Sequence, residues 1–415
     1  MMIGYAERTI TPPLGTELSG FASRSSGCRC VESDLLCRCV SLEASGGLFT
    51  IAVLDLLGVP MELSESVRRR VGDDRFVLVA THTHSGPSLS KAPESYINDL
   101  VDRIARCIEE SRRLSASARY ASSSSIAVPY LVYNRRDPQR GAIDPYLRVV
   151  ALESASSVEL LLVQYTCHAV VLGPDNLCVS PDWPGALARE LATLSGVPRI
   201  AVVNGCCGNI NPFTPSTRLE KPYDRRGATF EELRSFARAL GGAAYSLLEA
   251  RWRFREPALE RAVIVERRVR LPLRSCAVDL EGLEERARMG DAYARWLLER
   301  HRMVERLKEM HGSYVPARVL CIALSRSTAL VVLPSEVFVE HQRWIVSRSP
   351  FGRTVVVAYA EPYIGYIPTR EAYAEGGYEV EYPVSIVEPG AGEELRDAAL
   401  DALVEAFAAV ESLGG

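Results

Sequence analysis

The chain has 415 residues, of which 47% are hydrophobic and 24% charged, with a formal net charge of −4. That balance excludes wholesale disorder, and the length allows one large α/β domain with insertions or two closely packed lobes. The mildly negative charge and the lack of a basic run argue against a protein that binds nucleic acid by neutralising phosphates.

The first residues, Met1-Met2-Ile3-Gly4-Tyr5-Ala6-Glu7-Arg8, lack the basic and apolar regions of a secretory signal. The most apolar stretch, 158–172, is interrupted by Glu159, Gln164, Thr166, Cys167 and His168 and is too short to cross a bilayer. It reads as a buried strand running into a loop. The expectation is a soluble, cytoplasmic protein without a transmembrane segment.

Taken in chain order, the first 60 residues read as strands and turns. Runs 36–42 and 48–57 are apolar and are separated by Glu43-Ala44-Ser45-Gly46-Gly47, a turn signal. Segment 75–80 is a short unbroken apolar run, the pattern of a strand buried on both faces, and it leads into Thr81-His82-Thr83-His84-Ser85-Gly86-Pro87. Residues 93–113 have helical periodicity, with Ile97, Leu100, Val101, Ile104 and Ile108 on one side. A polar loop is expected over 115–125, then an irregular stretch holding Tyr133-Asn134-Arg135. Segments 147–152 and 160–165 read as strands, the second leading to His168. A helix over 182–194 is expected to take Asp182 as its N-cap, with Pro184 in the first turn. Another strand, 200–203, ends on Asn204-Gly205-Cys206-Cys207-Gly208-Asn209-Ile210-Asn211-Pro212. A helix over 230–251 and a charged helix or helix pair over 280–310 follow. Strand 330–333 ends near Glu336, strand 355–359 leads into a Tyr-rich loop over 363–382, and a helix over 393–413 closes the chain.

Several short apolar strands thus end in polar loop residues: His82, His168, Asn211, Glu336 and Tyr366. Ligand crevices of open α/β sheets lie beyond the carboxyl ends of strands, so these residues are candidates for one shared site. His82 and His84 are two apart, a spacing common in zinc sites, and Ser85-Gly86-Pro87 forces a turn just after them. Of the other histidines, His301 and His311 read as surface residues and His341 as structural. Glu336 and Glu340 share a helix face and compete as ligands, with Glu336 favoured by its place at the strand–helix junction. Among eleven cysteines, Cys28, Cys30, Cys37 and Cys39 form two Cys-x-Cys pairs. Their tight spacing leaves a structural metal site, a cross-strand disulfide and free thiols all open. The adjacent Cys206 and Cys207 lie in the Gly-rich turn, where one thiol is a candidate to face the site.

At this point the motifs resemble a family. Thr81-His82-Thr83-His84-Ser85-Gly86-Pro87 is similar to the signature of the neutral/alkaline (non-lysosomal) ceramidase catalytic domain. The opening 4–11 and Leu18-Ser19-Gly20-Phe21-Ala22 resemble that domain's first strand and Gly-Tyr-Ala turn. Asn134-Arg135, followed by Asp144-Pro145, resembles its Asn-Arg-Ser-Pro segment, and Gly208-Asn209-Ile210-Asn211-Pro212 its Gly-Asp-Val-Ser-Pro turn. Tyr363-Ile364-Gly365-Tyr366-Ile367-Pro368-Thr369-Arg370-Glu371-Ala372-Tyr373 resembles its Tyr-x-x-Tyr-x-x-Thr-x-Glu-Glu-Tyr block, and Tyr378-Glu379 its Tyr-Glu-Gly. The matches run in order along nearly the whole chain.

The resemblance implies an α/β fold of mixed β-sheets flanked by helices, spanning 1–415 as one catalytic domain with a helical insertion at 275–312. It implies Zn2+ held by His82, His168, Glu336 and Tyr366. His84 follows as proton shuttle or partner of the ligands, and Arg135 and Tyr378 as groups that bind the substrate or its developing oxyanion. Tyrosine is an unusual ligand: its phenol, with a free pKa of about 10, ionises only beside a cation. Zinc lowers the pKa of a bound water to about 7 and polarises carbonyls, so the implied reaction is amide (N-acyl) hydrolysis of a small-molecule substrate, an acylated amine or lipid. Three departures bear on this. Asn211 stands where the family turn has serine, which removes that serine as a nucleophile and leaves metal-activated water, with Asn211 as a hydrogen-bond donor. Val380 replaces the glycine after Tyr378-Glu379. The chain ends soon after its last helix, so the expected member lacks the family's C-terminal β-domain. A zinc esterase or other hydrolase of a polar small molecule, and a non-catalytic metal-binding relative, are the competing readings.

Overall fold

Strands made of unbroken apolar runs need cover on both faces, and the architecture supplies it. In the computed structural model, which describes all residues except Ser25, Ala277, Gly414 and Gly415, a 13-stranded mixed sheet runs through the molecule. In order across the sheet, the strands are Ile200–Asn204, Val158–Tyr165, Tyr146–Glu153, Tyr120–Ala127, Arg255–Pro272, Tyr314–Ser325, Thr328–Pro334, Arg353–Ala360, Phe76–Ala80, Gly47–Leu54, Leu36–Ala44, Met2–Thr9 and Ala116–Ser117. The sheet folds over on itself. Ile200–Asn204, at one end of that order, touches both Phe76–Ala80 and Gly47–Leu54, and Ala262 bridges to Ala44.

Alternation along each strand divides two cores. Val77 and Val79, Leu160 and Leu162, Ala201 and Val203, Leu330 and Leu320 pack together between the two layers of the folded sheet. Their neighbours Phe76, Leu78 and Ala80, Leu161 and Val163, Ile200 and Val202 face outward into the larger core beneath the helices. Helix Glu94–Ser111 covers Met2–Thr9 and Leu36–Ala44, helices Asp182–Ser195 and Phe230–Glu249 pack on each other beside Tyr146–Glu153, and helix Ala391–Ser412 lies over Arg255–Pro272 and Tyr314–Ser325. Among the described residues no helix is long and apolar enough to cross a membrane.

The folding-over brings strand ends together. Gly47–Leu54 and Phe76–Ala80 are parallel, as are Val158–Tyr165 with Ile200–Asn204 and Thr328–Pro334 with Arg353–Ala360. Arg353–Ala360 and Phe76–Ala80 run antiparallel and meet only at their carboxyl ends, Ala360 opposite Val79. The tips carrying His82, His168, Gly205, Glu336 and Tyr363 therefore converge.

Some expectations need correction. Residues 115–125 are not a loop: Tyr120–Ala127 pairs along its length with Tyr146–Glu153, which buries Ser122, Ser123 and Ser124. The stretch around Tyr133 contains a short strand, Val132–Asn134, paired with Ile210–Pro212. Two long strands, Arg255–Pro272 and Tyr314–Ser325, lie in segments without a sequence assignment. Residues 280–310 are a helix pair, Leu280–Arg288 and Ala292–His311, inserted between those strands. Asp182 is not the N-cap of its helix. Pro181 holds that place, while the buried Asp182 carboxylate accepts the backbone N–H groups of Val171, Leu172 and Trp183.

Cys30, a member of one Cys-x-Cys pair, is joined by a disulfide to Cys178, which lies outside both pairs, across two short parallel strands. Cys28, Cys37 and Cys39 are free. The bridge closes a loop over a sequence separation of 148, for which the chain-entropy model gives a stabilisation of up to about 5 kcal/mol. Cys30→Ser should therefore lower the denaturant midpoint under non-reducing conditions. Equal midpoints for the two proteins would show that the bridge adds no stability.

Candidate metal centre

His82 follows Phe76–Ala80 by two residues, and its backbone has φ 63°. Ser335, just before Glu336, has φ 65°, and Tyr359, whose ring stacks on His82 at 4.2 Å, has φ 62°. A non-glycine residue in this region costs on the order of 1–3 kcal/mol and persists only where its surroundings over-determine it. Here they do. Thr81 donates its N–H to Leu54 O at 2.8 Å and its hydroxyl to Asp55 Oδ1 at 3.1 Å, while Asn204 Nδ2 donates to Thr81 O at 2.9 Å. Asp55 is itself buried against Arg38 at 3.1 Å. Thr83 donates to Ser180 O at 2.7 Å, which ties the far side of the loop to the segment stapled by the disulfide.

The two buried histidines have defined tautomers. His82 Nδ1 lies 2.7 Å from Leu57 O and His168 Nδ1 2.5 Å from Cys207 O. A carbonyl only accepts, so both rings carry hydrogen on Nδ1 and turn Nε2 toward a shared space. Each Nε2 is 3.3 Å from the same atom, Glu336 Oε2. That oxygen is buried and has no hydrogen-bond partner, while Glu336 Oε1 accepts the Tyr363 hydroxyl. Burial would raise the Glu336 carboxyl, but the imidazoles of His82 and His168 hold it well below the usual range. Burial, reinforced by the Arg135 charge, lowers His168 to about 4.

Three potential ligand atoms, two imidazole nitrogens and a carboxylate oxygen without a hydrogen-bond partner, therefore face one another, an arrangement suited to a cation. Ligand atoms about 2.0–2.1 Å from a tetrahedral zinc lie about 3.3–3.4 Å apart, which matches both separations. The donor set of imidazole nitrogens and one carboxylate suits zinc as well.

His84 belongs to the same cluster. Its Nε2 lies 3.2 Å from His82 Nε2, and one ring nitrogen from each of His82, His84 and His168 lies within 4.8 Å of the others. Burial, then the neighbouring His82 and His168, hold its pKa well below the ordinary value, and its buried Nδ1 has no partner. Phe21 packs edge-on at 4.9 Å and Arg24 holds the His84 carbonyl at 2.7 Å. Gly20, at φ +92°, passes so close that any side chain there would run into the His84 ring.

Arg135 is buried and is not a surface ion pair. It sits beside the Asn209 turn because Asn134 pairs with Ile210. Its Nε donates to Glu379 at 2.7 Å, and Nη2 to Gly208 O at 2.8 Å and the Tyr366 hydroxyl at 2.9 Å. Nη1 is more loosely held, 3.3 Å from Asn211 Oδ1 and 3.4 Å from His168 Nε2. Asn211 Nδ2 is already engaged with Pro222 O at 3.0 Å, so this side chain braces Arg135. Tyr366 lies opposite Glu336 in a short parallel pairing. Burial keeps its phenol well above the ordinary pKa despite Arg135, as does the Glu336 charge. Tyr378 packs edge-on against Tyr366 at 5.8 Å.

The site also uses residues that the sequence reading passed over. Tyr363 orients Glu336; it lies in the quoted Tyr block, but nothing in the spacing distinguishes it from Tyr366. Glu379, quoted only as part of Tyr378-Glu379, is buried between Arg135, Arg136 at 3.0 Å and Tyr223 at 3.1 Å. Cys207 contributes its carbonyl to His168, while its thiol lies 3.0 Å from the Tyr359 hydroxyl; Cys206 is buried. Glu340 turns aside to Asn209 Nδ2 at 3.0 Å, and His341 to Pro368 O at 3.2 Å. His301 and His311 are half-buried on the inserted helix pair.

Among solved structures, neutral ceramidase from Pseudomonas aeruginosa superposes with a TM-score of 0.75 at 19% identity, covering 99% of this chain and 74% of that one. A ceramidase structure described as complexed with C2 gives a TM-score of 0.74 at 18% identity, covering 99% and 75%. The chain thus has the neutral ceramidase fold along nearly its whole length. A glutamyl-tRNA reductase of Kocuria rhizophila is 26% identical over 197 residues, 47% of this chain; the chain spans only 43% of that relative. No family model matches.

An unfolded imidazole titrates near 6.5 and folded His168 near 4. Between those values the unfolded chain binds a proton that the fold refuses, so stability of the metal-free protein is lost as pH falls through that window. The gap is worth roughly 3 kcal/mol. Thermal unfolding of metal-free protein between pH 7 and pH 4 should show this loss, and His168→Asn should reduce it. Identical pH profiles for the two proteins would contradict the assignment.

Proposed function

We propose that the chain is a zinc-dependent hydrolase that cleaves an amide, specifically an N-acyl bond, with water. The observation that carries this is the pair of imidazole Nε2 atoms, of His82 and His168, each 3.3 Å from an unpartnered carboxylate oxygen of Glu336. The likeness in fold to neutral ceramidases supports the same reading.

His82, His168 and Glu336 hold the ion, with Tyr366 as the fourth ligand. Zinc bound there supplies a Lewis acid and brings the pKa of water to about 7. The rest falls to the chain's own groups. His84, half-buried and with its pKa held well below the ordinary value beside the ligands, takes the proton from the attacking water and returns it to the leaving amine, the role a positioned imidazole fills in general acid–base catalysis. Arg135 keeps its charge because Glu379 and Tyr366 offset the cost of burial. Its loosely held Nη1 is the donor free to tighten on a developing oxyanion, while Nε and Nη2 are fixed. Asn211 and Glu379 hold that guanidinium in place, and Tyr378 orients the substrate beside Tyr366. The substrate class is an acylated amine, of which a lipid amide is the form suggested by the ceramidase likeness.

Purified protein should carry about one zinc per chain, as a single catalytic centre requires, and chelation should abolish turnover of an acyl-amide panel. His82→Ala should lose both metal and activity. Arg135→Ala should retain zinc and lose about 10²–10³ in kcat, the usual effect of removing one oxyanion donor. Full turnover by zinc-stripped protein would refute the proposal. Turnover confined to an ester panel would replace amide by ester hydrolysis at the same centre.

A further inference from the structure

A second cluster of soft donors lies away from the histidines. Cys37 and Cys39 are two apart on strand Leu36–Ala44 and so point to one face. Helix Glu94–Ser111 lies on that face and brings Cys107 down onto them. The three sulfurs lie within 4.8 Å of one another, with 3.6 Å between Cys37 and Cys39, and all three residues are buried. Strand Met2–Thr9 runs alongside, with Ala6 opposite Cys39 and Arg8 opposite Cys37. Paired residues of an antiparallel ladder share a face, so Arg8 sits at the edge of the cluster. Its Nη2 pairs with Glu110 at 2.9 Å, and its Nε is buried with no partner.

We propose that Cys37, Cys39 and Cys107 form a three-thiolate site for a soft monovalent metal ion of the Cu(I) class. Thiolate sulfur selects soft ions. Structural zinc is almost always four-coordinate, and among the described residues no histidine or carboxylate joins these three sulfurs. Three sulfurs about 2.3 Å from a central ion in a plane lie about 4 Å apart, a small adjustment from the separations present. Binding displaces the thiol protons to solvent and involves no change of oxidation state. Three thiolates around one monovalent cation leave an excess of negative charge, and Arg8, though shared with Glu110, is a cation at the edge of the cluster that offsets part of it. Hydrogen bonds from Cys37 and Cys39 pull the Cys107 thiol down to about 5, with Arg8 adding a smaller pull, while burial pushes the Cys37 and Cys39 thiols well up. The bound ion would fasten helix Glu94–Ser111 to the sheet. None of its ligands belongs to the His82 centre, so the site stands or falls independently of the proposed hydrolase activity.

Protein expressed in copper-supplemented medium and purified without oxygen should hold about one copper per chain at this site, with X-ray absorption showing three sulfur scatterers at about 2.3 Å. Cys107→Ala should lose that copper while keeping the zinc content and turnover of the parent. Should Cys107→Ala fail to fold, Cys39→Ser provides the same comparison. Copper bound to nitrogen and oxygen alone, copper content equal in parent and variant, or a disulfide from Cys107 to Cys37 or Cys39 in peptide mass spectra would each overturn the site.

Discussion

Two imidazole nitrogens and a carboxylate oxygen that has no hydrogen-bond partner meet in a buried space. Left alone, such an arrangement is unfavourable, because the free oxygen of Glu336 is stripped of water and given no donor. Everything around it works to keep the three atoms where they are. Leu57 and Cys207 carbonyls fix which nitrogen of each ring faces the shared space, Tyr363 fixes which oxygen of Glu336 is free, and Tyr359 stacks over His82. This is preorganisation for a cation, and it explains why strained backbone gathers at His82, Ser335 and Tyr359.

The fold explains how five separate strands reach one point. A sheet folded over a shared inner core turns its parallel segments so that their carboxyl ends converge, and the antiparallel contact of Ala360 with Val79 marks the place. The loop bearing His82 and His84 is then held on both sides, by Asp55 and Asn204 at Thr81 and by Ser180 at Thr83. Arg135 comes from the opposite wall through the pairing of Asn134 with Ile210. It is the positive counterpart of the donor cluster, and its own position depends on the buried Glu379.

How much of this was legible in the sequence follows from which forces leave a pattern in it. Burial on both faces writes an unbroken apolar run, so the strands around 76–80, 158–165, 200–204 and 353–360 and their polar tips could be read directly. Tyr120–Ala127 was hidden because four of its residues are serines, whose place in the strand comes from pairing with Tyr146–Glu153 rather than from apolar character. Arg255–Pro272 alternates arginine and glutamate with small apolar residues on a half-exposed face, a signal too weak to separate from loop. In the strand pattern the convergence of His82, His168 and Glu336 was legible only as a shared tendency to follow strands; the resemblance to the ceramidase domain is what grouped them as one ligand set. Residues that act on other site residues were not legible at all: Tyr363 differs from Tyr366 only by three-dimensional placement, and Glu379 matters through Arg135. The Cys30–Cys178 bridge spans too much chain for spacing to reveal it.

Nε2 of His82, Nε2 of His168 and the free oxygen of Glu336 are proposed to bind one zinc ion together. Zinc-edge X-ray absorption on protein purified from zinc-supplemented medium tests this most directly. A first shell of nitrogen and oxygen at about 2.0–2.1 Å, with imidazole outer-shell scattering and no sulfur, is the predicted result. A shell dominated by sulfur, or protein that holds no zinc, would contradict it.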